Sequence, residues 1–224
     1  MAQSPAQQFK LIIIAVGPPI RAKPRHLSIM PSPDIVPDML QIVAIVELCV
    51  CWAAWIAVFV TARKKVEKQK VVVRAPDYRW GIYLEILGFA LVWAHVRPTH
   101  FEKSALSLIA SMILGPCSVA LGWAARLHLG KQWRLEAALI EGHELVQSGP
   151  YRWVRHPIYA SMLGLLLTTA AALTWWPMFI AGLVAFLAGT ELRVRAEDRL
   201  LAERFHDVFL AYRSRTRAYL PFVH

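Results

Sequence analysis

Five apolar stretches separated by polar segments dominate the pattern of this chain. They cover residues 39–62, 80–96, 105–127, 158–174 and 175–190. A helix needs about 20 apolar residues to cross a bilayer. The first and third stretches reach this length, and the last two meet at the sequence TWWP, which predicts a turn at the lipid–water boundary. The pattern therefore predicts an all-α, polytopic integral membrane protein with about five transmembrane helices, the last two forming a hairpin.

The charge pattern supports this class and predicts an orientation. Only 18% of the residues are charged, whereas soluble domains are about 25% charged. Seven lysines and arginines lie at 62–79, and seven arginines lie at 191–224. Such clusters beside membrane spans mark the cytoplasmic side and its anionic lipids. Five crossings then place the N-terminus outside, and residues 62–79, 128–157 and the C-terminal tail in the cytoplasm.

The chain divides into three regions: an N-terminal segment at 1–38 that is partly loop, three transmembrane helices at 39–127, and a mixed region at 128–224. The cysteines lie in apolar stretches, and the spacing of cysteine and histidine does not indicate a metal site. The sequence has no dinucleotide-binding fingerprint, Walker loop or nucleic-acid-binding motif. We therefore expect membrane lipids and a lipophilic small molecule as partners, and no nucleic acid.

The sequence SGPYRWVRHPIY, at 148–159, carries the first candidate site. Pro157 has the properties of a first helical residue, and His156 before it is biased toward extended backbone. The N–H groups and positive dipole end of the following helix would then lie beside Arg152 and Arg155. This arrangement predicts a site for an anionic or zwitterionic ligand. An ordinary interfacial belt of arginine and aromatic residues is the alternative.

Carboxylates in apolar surroundings form the second set of candidates. A helical stripe in the tail consists of Val194, Leu201, Phe205, Val208 and Tyr212. At 100° per residue, Glu197 and Asp198 lie within about 20° of this stripe, so each is expected to meet an arginine, a ligand or a proton. An ion pair between Arg193 and Glu197, four residues apart, is the alternative. Glu47 and Glu85 lie inside predicted spans, which marks them as candidates without defined roles.

Two runs of this chain resemble the isoprenylcysteine carboxyl methyltransferases and their bacterial relatives, which share this region with membrane phospholipid methyltransferases. The first run is LGKQWRLEAALIEGHELVQSGPYRWVRHPIYASML, and the second is ELRVRAEDRLLAERFHDVFLAYRSRTRAYLP. The resemblance covers roughly residues 121–221. The family often has Glu-Glu where this chain has Glu197–Asp198, and Phe-Gly where it has Phe205–His206.

The resemblance implies a methyltransferase that uses S-adenosylmethionine, with residues 128–224 forming a cytoplasmic, helical cofactor-binding region. The cofactor-binding residues would be Leu145, Val146, Gly149, Tyr151, His156, Pro157, Tyr159, Glu197 and Asp198. The acceptor would be held by Arg152, Arg155 and Arg193, with Glu197 ordering it or serving as a base.

The implied reaction is O-methylation of the carboxylate of an isoprenylcysteine-like lipid. The membrane would be the cytoplasmic membrane of a bacterium or the endoplasmic reticulum of a eukaryote. N-methylation of phosphatidylethanolamine and non-catalytic binding of anionic lipid are the alternatives, whereas no feature favours a nicotinamide-dependent reductase.

Overall fold

The computed structural model describes residues 35–66, 71–74, 78–94, 103–133 and 138–219. Within them lie five α-helices, namely α1 (Ile35–Val66), α2 (Tyr78–Trp93), α3 (Ala105–Leu129), α4 (Pro157–Leu173) and α5 (Trp176–Arg215). Two short strands, β1 (Val71–Arg74) and β2 (Ala138–Ile140), pair antiparallel. Most of the predicted segment 1–38 lies outside the described residues, and its last four residues form the first turn of α1.

The structure confirms a mostly helical chain with candidate membrane spans. Within the described residues, three segments are long and apolar enough to cross a membrane, namely Met39–Val60, Ala105–Leu129 and Trp176–Arg215. The other two helices are shorter, since α2 has 16 residues and α4 has 17. Five crossings and the cytoplasmic side of the C-terminal region therefore stay predictions, although the alternating directions of the five helices are compatible with them.

Glycines bring α2 and α5 into backbone contact. A Cβ atom on Gly88 would lie 2.7 Å from the carbonyl oxygen of Gly182, and one on Gly81 would lie 2.7 Å from that of Gly189. Both pairs are spaced by seven residues, which is two helical turns, so they face each other along one antiparallel seam. Small residues permit such close approach inside a membrane, where packing replaces the hydrophobic effect as the force between helices.

Small and polar residues also join α1, α3 and α4. The buried residues of α3 are Leu108, Ser111, Gly115, Ser118, Gly122 and Ala125, a stripe spaced by three or four positions. On α1, Trp52 Nε1 donates to Thr169 Oγ1 and Trp55 Nε1 donates to Ser161 Oγ, each over 3.1 Å. These bonds fix α1 against α4 because both partners lie in apolar surroundings.

The predicted hairpin is present, and its second arm is longer than expected. Residues 174 and 175 separate α4 from α5, which continues from the apolar arm into the polar tail and covers 40 residues in two helical parts. The helix is interrupted at His206, where φ is 43° and ψ is −124°. His206 therefore has positive φ at the position where the family often has glycine, and L-residues adopt this conformation only under strain.

The segment that precedes α4 is held by residues that follow α5. The backbone N–H groups of Arg155 and His156 donate to the carbonyl oxygens of Arg217 and Ala218, over 2.7 and 2.8 Å. Val154 and Arg217 form an isolated parallel bridge. This contact fixes the backbone just before α4, at the end of the bundle where α1 and α3 finish and α2 and α4 begin.

Candidate active site

A cavity of about 370 Å³ lies at this end of the bundle. Its apolar wall includes Trp55, Phe59, Trp133, Leu139, Leu145 and Val146. Its polar wall includes Gln132, Tyr151, Arg155, His156, Tyr159, Arg193, Glu197 and Tyr212. One half of the cavity therefore suits flat or aliphatic groups, and the other half suits charged groups.

His156 lies at the centre of the polar wall. Its side chain is buried, with Nε2 2.8 Å from Asp198 Oδ1 and Nδ1 3.3 Å from Glu197 Oε2. Burial acts to lower the pKa of His156, but the hydrogen bonds and charges of Asp198 and Glu197 outweigh it and raise the pKa to about 9. At neutral pH the ring is therefore an imidazolium between two carboxylates.

Arg155 completes the pairing of Asp198. Its Nη2 lies 3.2 Å from Asp198 Oδ2, and its Nη1 donates to the carbonyl oxygens of Thr216 and Arg213. Asp198 thus accepts from both Arg155 and His156, and only 10% of its side chain is exposed. Asp198 therefore holds these two cations in the wall of the cavity.

A second ion pair lies on the α2 side of the polar wall. Arg193 Nη1 is 2.7 Å from Glu85 Oε2, and both side chains are buried. The guanidinium carbon of Arg193 lies 4.8 Å from the ring centroid of Tyr159, a distance typical of a cation–π contact. The Tyr159 hydroxyl donates to Glu197 Oε1. Arg193 and Glu197 therefore meet through Tyr159 and not as the direct pair that their spacing permits.

The charges of this cluster balance. The cations are Arg155, His156 and Arg193, and the carboxylates are Glu85, Glu197 and Asp198. The positive groups predicted to bind an anion at the start of α4 are thus largely paired with carboxylates of the protein itself. Glu197 is the most exposed of the three acids, at 26% of its side chain, and it lines the cavity. The group best placed to pair with an incoming ligand is consequently a carboxylate.

Most of the residues predicted from the sequence reach this cavity. Its wall includes Leu145, Val146, Tyr151, Arg155, His156, Tyr159, Arg193 and Glu197. Gly149, Pro157 and Asp198 lie behind the wall. Gly149 has φ of 60° and touches His128, since a Cβ there would lie 2.3 Å from His128 Nε2. Its contribution is a tight turn and not a ligand contact.

Arg152 is not among the residues that line the cavity, so its contact with the acceptor stays a prediction. Its guanidinium is 5.4 Å from the ring centroid of Trp153, and 70% of Trp153 is exposed. A separate pocket contains Arg152, Arg215 and Gln147, and Arg215 donates to Gln147. The interfacial belt is thus the better description of Arg152, whereas Arg155, three residues later, points inward.

Two parts of the site were not predicted from the sequence. Trp55 and Phe59 of α1 line the cavity, but aromatic residues in an apolar span carry no signal of a site. Glu85 was identified as a carboxylate within a span, but the sequence did not indicate its partner. The partner in the structure is Arg193, more than 100 residues away in the chain.

The fold and this site define a helical integral membrane protein with a charged and aromatic cavity at one end of its bundle. The sequence profile of the Isoprenylcysteine carboxyl methyltransferase (ICMT) family matches residues 108–203, which include His156 and the acids of α5. The chain belongs to this family and is therefore a membrane methyltransferase.

Two bacterial proteins are similar to this chain. "Uncharacterized protein YpbQ" of Bacillus subtilis (strain 168) is 30% identical over 158 residues, which are 67% of this chain and 90% of that protein. "Cobalt-zinc-cadmium resistance protein CzcN" of Cupriavidus metallidurans is 31% identical over 149 residues, which are 63% of this chain and 62% of that protein. Both similarities thus extend beyond the region that the family profile covers.

Proposed function

We propose that this protein transfers a methyl group from S-adenosylmethionine to the carboxylate of an isoprenylcysteine-like lipid at the cytoplasmic face of the membrane. The observation that carries the proposal is the presence of Arg193 and Glu197 in the same wall of the cavity. They lie one helical turn apart on α5, and both line the cavity. A positive and a negative group side by side suit the encounter of an anionic acceptor with a cationic donor.

The residues of the cavity fit this cofactor. When bound, S-adenosylmethionine supplies a methyl group on a positively charged sulfur, and transfer to an ionised carboxylate requires no proton movement. Glu197 would hold its positive charges, and the rings of Trp55 and Phe59 would contact its flat base. Gln132 Oε1 is buried without a hydrogen-bond partner among the described residues, so it is available to accept from an amino group.

The hydrogen bonds of the site favour a carboxylate acceptor over an amine. An amine must lose a proton before it can accept a methyl group, so it needs a general base. His156 is already protonated at neutral pH, because its pKa is raised to about 9. Glu197 accepts from Tyr159 and His156, which leaves it a weak base. A carboxylate acceptor is already ionised, and positioning and exclusion of water would be the main tasks of the protein.

The rim of the cavity supports a lipophilic acceptor. Ile56 and Val60 of α1 line the cavity, yet they are 48% and 54% exposed. They belong to the span Met39–Val60, so acyl chains would surround their exposed surface. An apolar tail at this rim stays in lipid while its polar head enters the cavity. Both similar proteins are bacterial, which supports the cytoplasmic membrane as the location.

Two measurements on detergent-purified protein test this proposal. Calorimetry should show binding of S-adenosylmethionine, and labelled methyl should pass to N-acetyl-farnesylcysteine but not to phosphatidylethanolamine. Glu197→Gln should weaken cofactor binding, whereas Glu191→Gln, at an exposed position of the same helix, should not. Methylation of phosphatidylethanolamine alone would show that the acceptor is an amine and not a carboxylate. Absence of cofactor binding would refute the proposal.

A further inference from the structure

Glu85 is a buried carboxylate that the proposed reaction does not use. It lies in α2, outside the region that the family profile matches, and is 3% exposed. It is separated from the cavity by Arg193, which lines the wall. An ionised carboxylate in such a place is costly unless cations and hydrogen-bond donors compensate it. Glu85 has both, since Arg193 pairs with Oε2 and Thr190 Oγ1 donates to Oε1 over 3.1 Å.

A continuous series of contacts joins Glu85 to the cavity. Arg193 is held by Glu85 and lies over the ring of Tyr159. Tyr159 donates to Glu197, and Glu197 lies 3.3 Å from His156. The series therefore connects α2, α5 and the start of α4, and it includes Glu197, the carboxylate that faces the cavity.

Arg193 has two acidic partners within its reach, and Glu85 determines which one it takes. Glu197 lies four residues after Arg193 on the same helix, a spacing at which arginine and glutamate pair directly. With Glu85 ionised, Arg193 faces α2 and leaves Glu197 to Tyr159 and His156. Without that charge, Glu197, which already acts electrostatically on Arg193, is an acid of the cavity wall toward which the buried guanidinium can turn. A direct pair would cancel the negative charge that Glu197 presents to the cavity.

We propose that Glu85 is a positioning residue, which holds Arg193 away from Glu197 and thereby keeps the Glu197 carboxylate available to the methyl donor. This inference rests on the proposed function, because it assigns Glu197 to the cofactor. Glu85 itself touches neither reactant in this proposal. It acts by determining the direction in which the guanidinium group of Arg193 points.

The test compares Glu85→Gln, Arg193→Met and the double variant in detergent-purified protein. The glutamine keeps the shape of Glu85 and can still accept from Thr190, so the change removes mainly the charge. The exposed pair of Glu191 and Arg195, also four residues apart on α5, supplies the matched control. Each variant is measured by calorimetry with S-adenosylmethionine, by thermal unfolding and by methyl transfer to N-acetyl-farnesylcysteine.

We expect Glu85→Gln to weaken cofactor binding about tenfold, as loss of one good charge pairing does, and to lower the unfolding temperature by roughly 6–20 °C, because a buried cation loses its partner. In the double variant that cation is absent. Affinity should then return to within about threefold of the wild type, and the unfolding temperature should recover with it. Methyl transfer should stay low in the double variant, because Arg193 itself is missing from the cavity wall.

Unchanged cofactor affinity in Glu85→Gln, with only a lower unfolding temperature, would show that the pair is structural and would overturn the inference. Failure of the double variant to regain affinity would overturn it too, as would equal effects in Glu191→Gln. These outcomes differ from failure of the proposed function. In that case the wild type binds no cofactor or methylates no carboxylate.

Discussion

Raising the pH from 6 to 10 should destabilise this protein through the deprotonation of His156. The folded state holds the imidazolium between Asp198 and Glu197, and the raised pKa of about 9 measures that preference. An unfolded chain binds the same proton with the ordinary pKa of 6.5. The stabilisation from this proton is therefore complete below pH 6.5 and is lost as the pH rises through 9.

The size of this effect follows from the two pKa values. They differ by about 2.5, and each unit corresponds to about 1.4 kcal/mol, so deprotonation removes roughly 3 kcal/mol of stability. For a protein of this size, 1 kcal/mol changes the unfolding temperature by about 2–4 °C. The expected decrease is thus about 6–12 °C. Solvent screening reduces this value only slightly, because only 5% of the His156 side chain is exposed.

Thermal unfolding in mild detergent at pH 6, 8 and 10 measures this decrease. Lysines, tyrosines and cysteines also titrate in the alkaline range, so the informative quantity is the difference between wild type and His156→Asn. His156→Asn should be less stable than the wild type at pH 6. Between pH 6 and pH 10, its unfolding temperature should not show the part of the decrease that deprotonation of His156 causes. His206→Asn, at an exposed histidine, should follow the wild type. Parallel pH profiles for wild type and His156→Asn would refute the reasoning.

Three further predictions concern single positions of α5. His206→Gly should raise the unfolding temperature by about 2–12 °C, because glycine adopts the positive φ there without the strain of about 1–3 kcal/mol. Thermal unfolding measures this change. An unfolding temperature no higher than that of the wild type would contradict the claim that the backbone at His206 is strained. Gly189→Leu should abolish folding, since a Cβ would lie 2.6 Å from a carbonyl oxygen of α2, whereas Ala188→Leu at the neighbouring exposed position should be tolerated. The yield of monodisperse protein in size-exclusion chromatography distinguishes them. Arg193→Met should lower methyl transfer at least tenfold, because a misplaced acceptor loses up to about 100-fold in rate, and Arg195→Met should retain it within twofold. Equal activities of Arg193→Met and Arg195→Met would show that Arg193 does not contribute to the site.

The sequence contained enough information to place the two halves of the site together. Two motifs flank a hairpin, so the residues before its first arm and those after its second arm must lie at the same end of the bundle. Burial of acids on an apolar helix face then required cations nearby. The contact of Glu197 and Asp198 with His156 is the arrangement that these two considerations imply.

Contacts between helices that are distant in the chain could not be predicted in this way. A helical pattern identifies pairs within one helix, such as Arg193 with Glu197, but does not specify which helix faces which. The partner of Glu85 and the glycine seam between α2 and α5 depend on that missing information. The departure of His206 from the family glycine could be noticed in the sequence, but only the backbone shows that the glycine-like conformation is kept.

The contact between the segment before α4 and residues 217–218 has a consequence for biosynthesis. Ribosomes make the chain from its N-terminus, so Arg217 and Ala218 are added after all five helices have been synthesised. The backbone of Arg155 and His156 lacks these partners until then. Methyl-donor binding should consequently arise only after translation has passed residue 218, and a nascent chain stalled on the ribosome before that point would be inserted but unable to bind the donor.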